Sequence, residues 1–78
     1  MTDRLKDAFV EGLGIELDAT DWENLAYGSI SQWNSVAHMA LASEIEDAFG
    51  ITLSTDDVLA MTSFSEARNI LARHGIDV

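Results

Sequence analysis

The run from Ser35 to Phe49 constrains this chain more than any other stretch. Asn34 stands before it as a capping residue and Gly50 closes it. Leu41, Ile45, Ala48 and Phe49 recur on one face at helical period, with His38 and Ala42 at its margins. A helix of this length must bury that face nearby, because a chain of 78 residues is only marginally able to stabilise itself. There is no cysteine, so neither disulfides nor a thiolate metal site can help. There is no proline to interrupt helices. The expected fold is therefore a small all-α four-helix bundle, three longer helices plus one short third helix, formed as a single domain over residues 1–78.

The rest of the chain divides around that helix. A first helix is expected from Thr2 to about Leu13, capped by Thr2 or Asp3, with Leu5, Ala8, Phe9, Gly12 and Leu13 on one face. Gly12 and Gly14 are expected to stop it. From Ile15 to Trp33 the pattern breaks into a long loop, punctuated by Trp22, Leu25, Tyr27, Ile30 and Trp33, which should pack back on the bundle. A short helical turn is expected at Asp21–Leu25. Ile51 and Leu53 should tuck into the core. Ser54 or Thr55 opens a short helix, about Asp56–Ala60. Ser63-Phe64-Ser65-Glu66 matches a capping box and opens the last helix, whose stripe is Phe64, Ala67, Ile70 and Leu71 and which Gly75 ends after His74. Met61 and Trp33 read as core.

Charge narrows the partners. Fourteen acidic residues face four basic ones, for a net charge of −10, and no Lys or Arg lies between Lys6 and Arg68. Such a field repels phosphate backbones and anionic lipid, so nucleic-acid and membrane binding are not expected, while basic protein surfaces are attracted. No run of about 18 apolar residues and no signal-type N-terminus occur, so a soluble, cytoplasmic monomer is expected. Asp18, Asp21 and Glu23 fail the calcium-loop pattern, lacking the glycine and the closing Glu, and read as solvated turn carboxylates. The side of the second helix away from its apolar face carries Val36, Met39, Ala40, Ser43, Glu46 and Asp47. This mixture of small apolar groups and acid suits a basic, partly apolar partner.

Three blocks carry a resemblance. They are Trp33-Asn34-Ser35-Val36, the run Glu44 to Ile51, and Asp56 to Phe64, in order and without gaps. Together they resemble the acyl carrier protein family of phosphopantetheine-binding four-helix carriers, over roughly residues 3–74. The resemblance implies that Ser35 is the attachment site of 4′-phosphopantetheine, transferred from coenzyme A by a phosphopantetheinyl transferase. It also implies that acyl or aminoacyl cargo rides on the arm as a thioester in fatty-acid, polyketide or other specialised biosynthesis. Loading ligases and synthase or transferase enzymes with basic docking patches would meet Val36, Met39, Glu46, Asp47 and Asp56. Leu41, Ile45, Val58, Leu59 and Met61 would flank the cargo pocket. Asn34 stands where the family has Asp; it keeps the capping oxygen but forgoes about 0.3–1 kcal/mol of macrodipole interaction. Val36 stands for the usual Leu.

The residues leave two further readings in view. An enzyme needs a base for Ser35; no Asp or Glu follows His38 at a spacing that orients it, and the glycine-flanked serine elbow of hydrolases is absent, so no catalysis is expected. His38 is read as half-buried or partner-facing and His74 as a complement to the last helix dipole. The alternative to a carrier is an unmodified acidic module that docks a basic partner through the second helix.

Overall fold

The computed structural model describes residues 3–77. Four helices follow in order: α1 (Arg4–Leu13), α2 (Ser35–Phe49), α3 (Thr55–Ala60) and α4 (Phe64–Arg73). The expected all-α bundle is what forms, and no helix of the described residues is long and apolar enough to cross a membrane. Its core is one cluster drawn from all parts of the chain, with Leu5, Phe9, Leu41, Ile45, Ile70 and Leu71 at its centre.

Each helix starts where a polar side chain satisfies orphaned amides. Asp3 caps α1 by accepting from the amides of Leu5 and Lys6; Thr2 lies outside the described residues. Ser54, one of the two expected caps, opens α3, which starts at Thr55, one residue before the expected Asp56. It shares a reciprocal capping box with Asp57 that the sequence reading missed. Ser63 Oγ accepts from Glu66 N at the head of α4.

Gly12 has a different task from the expected one. Gly14, with φ of 68°, ends α1, whereas Gly12 lies inside the helix. A Cβ on Gly12 would stand 2.7 Å from Leu41 Cα and 3.0 Å from Leu41 N. Gly12 is therefore the point at which α1 meets the α2 backbone. Gly12→Ala would gain about 1 kcal/mol of helix propensity but force two backbones apart, which typically costs about 1–3 kcal/mol. A lowered urea midpoint is the expected outcome, and an unchanged or raised midpoint would show that the helices part freely. Arg4 ties the other ends of this antiparallel pair, donating to Ala48 O at 3.0 Å while its guanidinium lies over the Phe49 ring.

The long loop packs back as expected. Ile15, Leu25 and Trp33 are buried, and Trp22 and Ile30 pack against the core. Asp21–Leu25 forms a turn, not a helix: Asn24 N donates to Asp21 O, and the Asn24 amide donates to the Asp21 carboxylate. An isolated antiparallel bridge joins Ala26 to Ser63. In it Tyr27 N donates to Thr62 O and Phe64 N to Leu25 O. The loop is thus hydrogen-bonded to the α3–α4 junction, which supplies partners for backbone groups that a loop otherwise leaves to water.

Candidate functional site

The chain leaves the core and enters α2 within three residues. Trp33 is 1 % exposed, Asn34 is exposed, and Ser35, the first residue of α2, is exposed. Trp33 is the anchor. It precedes the cap, and His38 stands at the fourth helical position, so the pair occupies the places of a hydrophobic staple. Their rings stack at 21°, with Trp33 Nε1–H donating to His38 Nδ1 at 2.9 Å. The staple sets the angle at which the chain enters α2, and with it the position of Ser35.

His38 is more constrained than expected of a half-buried side chain. Its Nε2 lies 2.8 Å from Val58 O. An indole N–H can only donate and a carbonyl can only accept, so Nδ1 carries the lone pair and Nε2 the proton. Both ring nitrogens are occupied, and neither is left to serve Ser35 as a base. Tyr27 packs edge-on against the same ring.

Asn34 caps α2 as expected, its side-chain oxygen accepting from Ala37 N at 2.9 Å. That assignment turns its amide nitrogen toward Ser31 O, at 3.4 Å. A carboxylate here would keep the cap but set an oxygen, in place of a donor, toward Ser31 O. The first turn of α2 contains no acidic side chain.

Three large apolar side chains of α2 and α3 are exposed. Val36 is 80 % exposed, Met39 62 % and Leu59 70 %. The Val58–His38 bond holds α3, and so Leu59, beside the start of α2. Leu59, expected beside a cargo pocket, is thus exposed, as Val36 and Met39 are. Of the other residues expected around a cargo pocket, Leu41, Ile45 and Met61 are fully buried in the core and Val58 is half-buried. Among the expected docking acids, Asp47 and Asp56 are exposed. Glu46 is half-buried, and its Oε2 accepts from Leu53 N at 2.8 Å, holding the α2–α3 link. No sequence signal pointed to that bond, because the acceptor and donor meet only once Gly50 has turned the chain.

His74 does more than close α4. Its Nε2 donates to Asp57 Oδ2 at 2.9 Å, tying the end of α4 to α3. That bond, with further bonds from Ser54, holds the Asp57 carboxyl below the ordinary value of 3.8, against the opposing effect of burial. A carboxyl depressed in the folded state contributes fully above its unfolded value and loses the contribution as pH falls through the lower folded value. His74→Ala is therefore expected to lower the urea midpoint at neutral pH, with the deficit vanishing well below pH 3.8. A deficit that persists in acid would mean that His74 acts through packing alone.

No family model, curated protein or solved structure matches this chain. What Ser35 can do follows from its own surroundings.

Proposed function

We propose that this chain is a carrier protein of the acyl carrier type, bearing 4′-phosphopantetheine on Ser35 and presenting acyl or aminoacyl cargo to partner enzymes. The observation that carries the proposal is the placing of Ser35. Its hydroxyl sits exposed at the first position of a 15-residue helix, on a rigidly stapled turn. A phosphodiester there would face the positive end of the helix dipole. Asn34 takes up the amide of Ala37, leaving those of Ser35 and Val36 to the phosphate. No carboxylate in the first turn opposes it, and the neutral Asn34 adds no charge. When bound, the arm supplies the thiol that the chain, which has no cysteine, lacks.

The residues of the chain would hold and present the arm. They would not carry out chemistry, since the nearby histidine has both nitrogens bonded elsewhere. Val36, Met39 and Leu59 would give a partner an apolar footing, with Asp47 and Asp56 attracting its basic rim. The exposed apolar group equally favours the second reading, an unmodified acidic module that docks a basic partner through α2.

Incubation with coenzyme A and a phosphopantetheinyl transferase, followed by intact-mass analysis, separates the two. A gain of one phosphopantetheine, mapped to the peptide containing Ser35, is expected. An unchanged mass across transferases of differing specificity would sink the carrier reading and leave the docking module.

A further inference from the structure

Trp22, in the long loop, is an aromatic group that the site around Ser35 does not use. Its indole is fixed in place: the N–H donates to Leu17 O at 3.1 Å, and the ring packs against Phe9 and Phe64. The residue is half-buried. A cleft of about 530 Å³ lies against it, lined by Asp3, Lys6 and Asp7 at the start of α1 and by Leu17, Asp18 and Trp22. The ring already holds a cation, since Lys6 Nζ lies over it at 5.4 Å from the centroid. The charge around that cation is unbalanced. Three carboxylates and one ammonium line the cleft, leaving a local excess of two negative charges. The Asp3 carboxylate accepts from the amides of Leu5 and Lys6. Those of Asp7 and Asp18 have no hydrogen-bond or ion-pair partner among the described residues.

From this geometry we infer that the cleft is a docking site for an arginine side chain of a partner protein. The guanidinium replaces the Lys6 ammonium on the Trp22 ring and donates to the Asp7 and Asp18 carboxylates. Leu17, 44 % exposed, covers its aliphatic stem. The exchange is favoured because guanidinium is planar, stacks on aromatic faces and is less strongly hydrated than ammonium. Arginine also fits a chain of net charge −10, which draws basic partners and repels phosphate and anionic lipid. No residue of α2 or α3 lines the cleft. It is therefore a second contact, on other elements than Val36, Met39, Asp47 and Asp56, and it holds whether or not Ser35 carries a group.

Titration of the unmodified, isotope-labelled chain with a blocked diarginine peptide, followed by NMR, tests the cleft separately from the carrier reading. The chain has two tryptophans, so each indole N–H gives its own signal. That of Trp22 should shift most, together with the amides of Leu17 and Asp18, while Trp33, bonded to His38, serves as the reference. Trp22→Leu should weaken binding about three- to tenfold, the loss of one cation–π contact. Lys6→Met, which vacates the ring, should strengthen it by a similar factor. If Trp22→Leu does not fold, Asp7→Asn with Asp18→Asn is compared with Asp47→Asn with Asp56→Asn, a pair of the same net charge. Weaker binding in the first pair alone supports the cleft. Shifts centred on α2 or α3 or spread evenly over the acidic residues, affinity unchanged in Trp22→Leu or Lys6→Met, or equal weakening by the two pairs overturns the inference.

Discussion

Ser35→Ala is expected to abolish the mass gain from phosphopantetheinyl transfer completely, while leaving the fold and its stability intact. The loss should be clean because Asn34, not Ser35, caps α2. Alanine is also the better helix former at an exposed first-turn position, so any change in stability should stay within roughly 0.5 kcal/mol. Several other hydroxyls among the described residues are already bonded. Ser29 Oγ accepts from Ala26 N and donates to Ala26 O. Ser54 and Ser63 are occupied as caps by Asp57 N and Glu66 N. Ser31 donates to Gln32, outside any helix. A circular dichroism spectrum matching that of the native chain must accompany the result. Residual modification of a folded Ser35→Ala chain would move the attachment site elsewhere.

Phe9→Ala should have the largest effect on stability. Phe9 is 0 % exposed, and three aromatic rings meet it edge-on: Trp22 at 6.0 Å, Trp33 at 5.4 Å and Phe64 at 5.2 Å. Those rings come from the long loop, the turn before α2, and α4, so this one side chain on α1 touches all three. Truncating a buried Phe to Ala costs about 3–5 kcal/mol, and the edge-on pairs add to that. Natural domains have about 5–15 kcal/mol in total, and a chain this small lies toward the lower end. The variant is expected to be largely unfolded or molten at room temperature. Near-ultraviolet dichroism should be lost, and emission from Trp22 and Trp33 should shift toward that of solvated indole. Phe9→Leu should retain most of the fold. A native-like urea midpoint for Phe9→Ala would mean that the aromatic cluster is not the joint between loop and bundle.

The effect on Phe9 also bears on the proposed site. Trp33 touches both Phe9 and His38, so a single aromatic path leads from the centre of the core to the staple that positions Ser35. Loosening the core should therefore disorder the start of α2 before it disorders the far end, where Arg4 still holds Ala48 O.

Much of this protein was legible in its residues. The four helices, the start of α2 at Ser35 and the burial of Trp33 and Met61 followed from apolar period and capping chemistry. These are local signals, carried between residues three or four apart, and they do not depend on how the helices are packed. The exposure of Val36 and Met39 was legible for the same reason, since they lie opposite the face of Leu41 and Ile45.

Only the tertiary structure decided what several side chains do. Gly12 looked like a helix stop and is instead the point of contact with Leu41. Glu46 looked like a docking acid and holds Leu53 N. Leu59 carried no sign of its exposure, and 70 % of it faces solvent. His38 read as half-buried or partner-facing and His74 as a complement to the α4 dipole, and both hold α3. Each of these roles depends on a neighbour outside the residue's own helix, seven residues away across the Gly50 turn for Glu46 and 20 for His38. Residue type limits which bonds a side chain can form, and local pattern limits the helix it belongs to. Which partner it meets is set by how the helices pack.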